Sequence, residues 1–153
     1  MRPFFMSGRG SSPDRNIFRK THHMFRSMEK YSDVGLLILR LFIGVRLIYG
    51  VQDNIIHWHH MKNFEAFLRI HHFPVPLVSA VISVYVQAIA GILLIFGWQT
   101  RLAALLMVIN FAVAVLMVHL GQSFEEMTTV LFMLLTSIAL FFTGAGKFSL
   151  DRR

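Results

Sequence analysis

Four long apolar runs dominate the pattern of hydrophobic and polar positions along the chain. Each run approaches the roughly 20 residues that an α-helix needs to cross about 30 Å of hydrocarbon. Short polar turns separate the last three runs, so neighbouring helices are expected to lie antiparallel. The pattern predicts an all-α membrane protein, a four-transmembrane-helix antiparallel bundle, with spans at residues 34–56, 77–96, 102–120 and 124–142.

Two amphipathic segments accompany these runs. Residues 16–31 combine apolar and basic side chains at helical spacing, which predicts either a basic helix on the membrane surface or a solvated helix leading into the first span. Residues 57–72 show similar spacing and end before two prolines, which predicts a helix in the outer interface. We therefore expect a basic cytoplasmic tail over residues 1–33 and a transmembrane domain over residues 34–151.

Composition and charge agree with a membrane protein. Hydrophobic residues make up 55% of the chain and charged residues 15%, whereas about a quarter of a soluble domain is charged. The absence of Cys excludes disulfides, thiol catalysis and thiolate-bound metals.

The distribution of Lys and Arg predicts the orientation. If the amino terminus is inside, only Lys62 and Arg69 fall on the outer side. Both termini are then cytoplasmic, and the excess of basic residues on that side, in a chain of formal net charge +7, faces anionic lipid. Membrane lipid is an expected partner, and nucleic acid is not.

Polar side chains lie at similar depths inside the predicted spans. Arg46 is about 15 Å from the outer end of the first span at 1.5 Å per residue. Arg46, Gln87, Asn110 and Thr136 form one layer near the middle of the spans, and Asp53 and Glu125 lie nearer their outer ends. Two interpretations of these polar side chains remain open: they form hydrogen bonds between helices, or they line a ligand-binding site. The candidate ligand-binding residues are Arg46, Gln87, Asn110, Thr136, Asp53 and Glu125.

The two arginines of the first span present different problems. An arginine near the centre of a membrane helix costs about 2.5–3.5 kcal/mol on insertion scales. Arg40 lies near the inner end, where its side chain is expected to reach the interface. Arg46 has no acid at its depth. It needs water, a cage of carbonyls, an acid from another subunit, or a ligand such as a quinone or a small inorganic anion.

Histidines gather on the outer side. His57 and His60 share a helical face, and His119 reaches the same level, so these three residues could bind zinc or copper. The competing and favoured interpretation is that these histidines anchor the chain at the membrane interface, since the chain has no HExxH motif and Trp, Tyr and His are common at interfaces. Haem is not indicated, because no His lies at the midplane of two facing helices.

Several stretches resemble the DoxX family of small membrane proteins. The longest is QAIAGILLIFGWQTRLAAL at residues 87–105. The resemblance covers about residues 34–151, and its other stretches are Leu39-Arg40-Leu41 with Gly44 and Gly50, residues 64–67 followed by Pro74 and Pro76, and the ending GAGKFSLD at residues 144–151.

This resemblance implies a four-helix protein of the bacterial inner membrane. Relatives belong to membrane redox systems, including a subunit of a thiosulfate:quinone oxidoreductase and a complex that joins an oxidoreductase to thiol and superoxide defence. Family members often carry Glu where this chain has Gln87. Because a neutral amide cannot relay a proton, proton chemistry does not carry over to this position.

These features favour a membrane subunit of a redox or respiratory-type complex, with a quinone in contact with the polar layer and no intrinsic cofactor. Electrons would come from another subunit, because the chain has no Cys. The alternatives are a non-catalytic assembly subunit of a larger membrane complex and, with less support, a small transporter, for which four helices are few. Whether the chain is itself an enzyme stays open, and no catalytic residue is predicted.

Overall fold

The computed structural model describes the backbone of residues 14–119 and 123–151 and the side chains of residues 31–118 and 123–151. This part of the chain is helical and contains no strand. The helices are α1 (Asp14–Ile56), α2 (Trp58–Ile70), α3 (Pro76–Phe96), α4 (Thr100–Ala114) and α5 (Phe124–Thr143), and a π-helical turn, Val115–His119, continues α4.

Four of these helices contain segments long and apolar enough to cross a membrane. The segments are Tyr31–Ile56, Pro76–Phe96, Thr100–Val118 and Phe124–Thr143, which confirms the prediction of four membrane helices. The fold divides into two compact units, Met1–Ser32 and Asp33–Arg153. The amphipathic face predicted for residues 16–31 falls mainly on side chains outside the described residues, as does the turn at residues 120–122.

The ends of the membrane helices follow from local sequence. Pro76 occupies the first turn of α3, where a missing N–H leaves no hydrogen bond unmade. Gly97 ends α3 in the left-handed region, with φ 66°. Ser123 caps α5 through a reciprocal pair of hydrogen bonds with Glu126. These turns set where each span begins and ends.

Helices α1 and α3 cross at two glycines. A Cβ added to Gly44 would lie 2.8 Å from the carbonyl oxygen of Gly91, and one added to Gly91 would lie 2.9 Å from that of Gly44. Small residues allow membrane helices to approach this closely. The crossing sets which side of α1 faces the core, and that core consists of Ile43, Leu47, Ala90, Leu94, Ala103, Ala104, Met107, Phe111, Met133 and Leu140.

Helix α2 occupies the loop for which the sequence predicts a helix. Met61 and Leu68 are buried, and they pack with residues of α1 and α3 in a second cluster. On the same helix, Glu65 accepts hydrogen bonds from Lys62 at 2.9 Å and from Arg69 at 2.6 Å. The hydrogen bond from Lys62, with the charges of both cations, holds the pKa of Glu65 below its usual value. Placement of α2 in the outer interface stays a prediction.

Candidate functional site

Arg40 is enclosed by protein. Its guanidinium is 1% exposed and donates to the carbonyl of Ala145 at 2.5 Å and to that of Phe148 at 2.6 Å. The prediction that Arg40 reaches the membrane surface is therefore wrong. The physical reason is that residues 144–151, the carboxy-terminal clasp, fold back over this part of α1 and supply the acceptors.

The clasp is held in its middle and at its last residue. Asp151 accepts from the backbone N–H groups of Gln99 at 2.7 Å and Thr100 at 2.9 Å, which caps α4. Asp33 accepts from the backbone N–H of Lys147 at 3.0 Å and forms an ion pair with its ammonium group. These contacts fix the clasp, and two buried atoms of the cluster, Arg40 Nε and Thr100 Oγ1, have no hydrogen-bond partner among the described residues.

The middle of the protein contains a polar row between α3 and α4. The Gln87 amide donates to Ser83 Oγ at 3.1 Å, and the Ser83 hydroxyl donates to Asn110 Oδ1 at 2.9 Å. The structure thus joins two of the predicted site residues, Gln87 and Asn110. Ser83, which lies between them, was missed as a site residue, although its position one helical turn before Gln87 is the signal that could have revealed it.

A pocket of about 450 Å³ opens beside this polar row. Ser83 and Asn110 form part of its wall, and the remaining wall is mainly apolar. Aromatic rings come from Phe64 and Phe67 of α2 and from Phe73 in the following loop. The sequence did not identify these three rings as site residues, because their helical spacing predicts only an apolar face.

The predicted layer is not assembled as a whole. Arg46 is exposed on α1, in a groove with Phe42, Val45 and Tyr49. Thr136 is 7% exposed on α5, and in the part of the chain with described side chains no hydrogen bond joins Thr136 or Arg46 to Gln87 or Asn110. The sequence predicted a common layer because these residues have similar depths along their helix axes. In the structure Arg46 lies on an exposed face of α1, away from the polar row.

The remaining candidates lie near the ends of the spans. Asp53 is exposed on α1, and Glu125 is exposed in the first turn of α5. The rings of His57 and His60 have centroids 5.9 Å apart. Among the described residues there is no group of three or more His, Cys, Asp or Glu placed to hold a metal ion. The side chain of His119 falls outside that description, so the metal site stays a prediction.

These observations define a multi-pass membrane protein of four apolar helices, with a mostly apolar pocket beside a mid-span polar row. The family model named DoxX matches residues 35–120, which is more than half of the chain. The chain belongs to the DoxX family, as the sequence motifs predicted. No curated protein and no solved structure matches it.

Proposed function

We propose that this protein is a membrane subunit of a redox or respiratory-type complex and that it holds a quinone in the pocket between α2, α3 and α4. The observation that supports this proposal is the composition of the pocket. It is mainly apolar and aromatic, with the Asn110 amide at the middle of the third span. Small-molecule sites typically combine such walls with a few placed polar groups, in volumes of about 300–1,000 Å³.

The side-chain amide of Asn110 retains a hydrogen-bond donor that the described residues do not use. Its Oδ1 accepts from Ser83, and among the described residues no acceptor takes up its Nδ2 hydrogens. A quinone carbonyl is an acceptor without a donor of its own, so it complements this amide. The rings of Phe64, Phe67 and Phe73 offer faces and edges against which a quinone ring can pack.

The same chemistry limits what the site does. Gln87, Ser83 and Asn110 are neutral, and they do not ionise near neutral pH. No Asp or Glu lies in the middle of any span, so the polar row offers no carboxylate to carry a proton. The chain also has no Cys, and electrons therefore reach the quinone from another subunit. The proposed role is to bind and orient the quinone.

The proposed setting is the bacterial inner membrane, with an antiparallel bundle and both termini in the cytoplasm. The positions of Lys and Arg support this orientation, because cytoplasmic loops carry the excess of basic residues. In that orientation α2 lies at the outer surface and covers the pocket. Lipid then surrounds the exposed apolar faces of the four spans.

The test is the quinone content of the purified protein. The full chain is extracted from native membranes in mild detergent, and quinone is quantified per protein by mass spectrometry. Near-stoichiometric quinone is expected for the wild type, with an at least tenfold decrease in Asn110→Leu. Thr129→Val, an exposed change on α5 outside the pocket, is the matched control and is expected to retain quinone. A wild-type protein without quinone, or equal content in Asn110→Leu, would contradict the proposal.

A second candidate function is a non-catalytic assembly subunit of a membrane complex. It is favoured by the exposed, charged groove on α1, which is available to another protein. Host-complex activity that survives Asn110→Leu but is lost in a variant of that groove would favour this function over quinone binding.

A further inference from the structure

We infer that the outward face of the first span binds a transmembrane helix of a different protein, through an ion pair between Arg46 and an Asp or Glu of that helix. The inference rests on the proposed membership in a membrane complex and names the kind of partner. It does not depend on the quinone site.

Arg46 lies deep in the hydrocarbon layer. It is near the middle of the span Tyr31–Ile56, about 15 Å from the outer end of that span at 1.5 Å per residue. A long side chain can reach the headgroups from the end of a helix, but this depth holds the guanidinium away from both surfaces. Lipid headgroups and bulk water are therefore poor sources of compensation for its charge.

The structure places this charge on an exposed surface. Arg46 is exposed, and neighbouring large side chains are exposed as well, with Phe42 at 56%, Val45 at 58% and Tyr49 at 67%. Among the described residues the ion pairs are those of Lys62, Arg69 and Lys147 with Glu65 and Asp33, and none includes Arg46. Arg46 Nη1 lies along α1 beside Gly50, where an added Cβ would be 3.1 Å from it, and among the described residues no acid pairs with it.

No acid of this chain lies at the depth of Arg46. Between Asp33 and Asp53 the first span contains none, and the second and third spans contain none at all. In the fourth span the acids are Glu125 and Glu126, both in the first turn of α5. A carboxylate that meets Arg46 within the membrane therefore has to come from another chain.

The shape of the groove indicates a helix as the occupant. Its lining residues recur at intervals of three and four, which is the spacing of a helix–helix seam. The groove has a volume of about 490 Å³ and is lined by Ile38, Leu41, Phe42, Val45, Arg46 and Tyr49. A partner helix with apolar side chains and one carboxylate would cover the apolar residues and neutralise the charge together.

A second copy of this chain does not supply what Arg46 needs. A symmetric pair about the membrane normal would place the same arginine of each copy at the same depth, and like charges repel. The nearest acid farther along α1 is Asp53, about 10 Å higher along the helix axis. A partner of different sequence, with its acid at mid-span, resolves both problems.

The experiment maps what touches the groove in native membranes. A photo-crosslinking amino acid is placed at Val45 or Tyr49 of the full chain. Ile92 on α3 and Leu135 on α5, which are 48% and 63% exposed, serve as control positions. We expect one discrete heterologous product from the groove positions and none from the controls. The crosslinked peptide is expected to be a transmembrane segment with Asp or Glu within one turn of the attachment point.

Variants of Arg46 then test the ion pair. Arg46→Leu is expected to reduce the product at least tenfold, whereas Arg46→Lys keeps most of it because the positive charge remains. Arg46→Glu is expected to lose the product and to regain it when the acid of the captured helix is changed to Lys. Such recovery by charge exchange is what identifies the pair.

Three outcomes would overturn the inference. These are a product of twice the chain mass, adducts with lipid alone, and capture of a helix without an acid at that depth. Quinone content in the same preparations separates this failure from that of the proposed function. Arg46→Leu is expected to keep quinone and lose the partner, and Asn110→Leu is expected to lose quinone and keep the partner.

Discussion

Arg40 and Arg46 lie on the same helix, six positions apart, but their side chains have opposite surroundings. Arg40 is 1% exposed and donates to two carbonyls of the clasp. Arg46 lies in an exposed apolar groove and, among the described residues, forms no ion pair. One guanidinium is hydrogen-bonded within the fold, and the other is the one for which we propose a partner helix.

This difference shows what a buried charge needs inside a membrane protein. A guanidinium can be held without a direct ion pair when backbone carbonyls are brought to it, because hydrogen bonds to a charged group contribute more than those between neutral groups. That solution requires a segment able to fold over the site, as the clasp does. On the outward face of α1 no such segment is present among the described residues.

The largest effect is expected from loss of Arg40. Arg40→Leu removes the donors to the buried carbonyl of Ala145 and the part-buried carbonyl of Phe148, and leaving such acceptors without partners costs about 1–3 kcal/mol each in the free energy of unfolding. The measurement is unfolding of the purified protein in bicelles. Arg40→Lys, which keeps the charge but not the fork of donors, is expected to recover part of the loss. Wild-type stability in Arg40→Leu would show that the clasp does not depend on this residue.

The next effect tests the crossing that turns Arg40 inward and Arg46 outward. Gly91→Ala would place a Cβ 2.9 Å from the backbone oxygen of Gly44, and overpacking of this kind costs about 1–3 kcal/mol. Gly35→Ala is the matched control, since a Cβ there meets no atom within 4 Å. The same unfolding assay is expected to show a loss for Gly91→Ala and none for Gly35→Ala. Equal behaviour of the two variants would refute close packing at the crossing.

A smaller effect is expected at the other end of the clasp. Asp151→Ala removes the acceptor for the N–H groups of Gln99 and Thr100, and loss of such a cap costs about 1 kcal/mol. Limited proteolysis at the carboxy terminus is expected to become faster than in the wild type. Asp151→Asn, which retains one side-chain oxygen, should lie between the two. No change in either variant would mean that Arg40 alone holds the clasp.

The smallest effect is expected at Lys62 and Arg69, which form ion pairs with Glu65 of their own chain. Lys62 and Arg69 hold the pKa of Glu65 below its usual value, which is about 4.3 in an unfolded chain. Because the folded-state pKa is the lower one, this stabilisation is complete above the unfolded pKa and is lost as the pH falls through the folded pKa.

Unfolding curves recorded from pH 7 downward measure this contribution. Glu65→Gln is expected to remove part of the decrease in stability on acidification. Lys62→Met, which removes the largest cause of the lowered pKa, is expected to make the decrease smaller and to complete it at a higher pH. An unaltered pH profile in both variants would show that the contacts of Glu65 do not contribute to stability.

Much of the fold could be predicted from the sequence, because hydropathy and length directly report the membrane helices. Depth along each helix follows from the sequence as well, and in the structure Ser83 joins Gln87 and Asn110, two residues predicted at similar depth. Direction around the helix could not be predicted in the same way. It depends on the crossing at Gly44 and Gly91, which is a property of two helices together.

Arg40 shows the same limit for contacts that are distant in sequence. Its position near the inner end favoured a solvated guanidinium, but the acceptors come from residues more than a hundred positions later. Gly144 and Gly146 belong to the ending at residues 144–151 that resembles the DoxX family. Nothing in their spacing shows that the backbone after them returns to α1.

The difference between the two arginines is measured most simply by comparing Arg40→Leu with Arg46→Leu in the isolated, purified protein. We expect a large loss of unfolding free energy for Arg40→Leu. For Arg46→Leu we expect unchanged or increased stability, because an uncompensated charge is removed and no ion pair within the fold is lost. A loss for Arg46→Leu comparable to that for Arg40→Leu would show that the charge of Arg46 is compensated within its own chain.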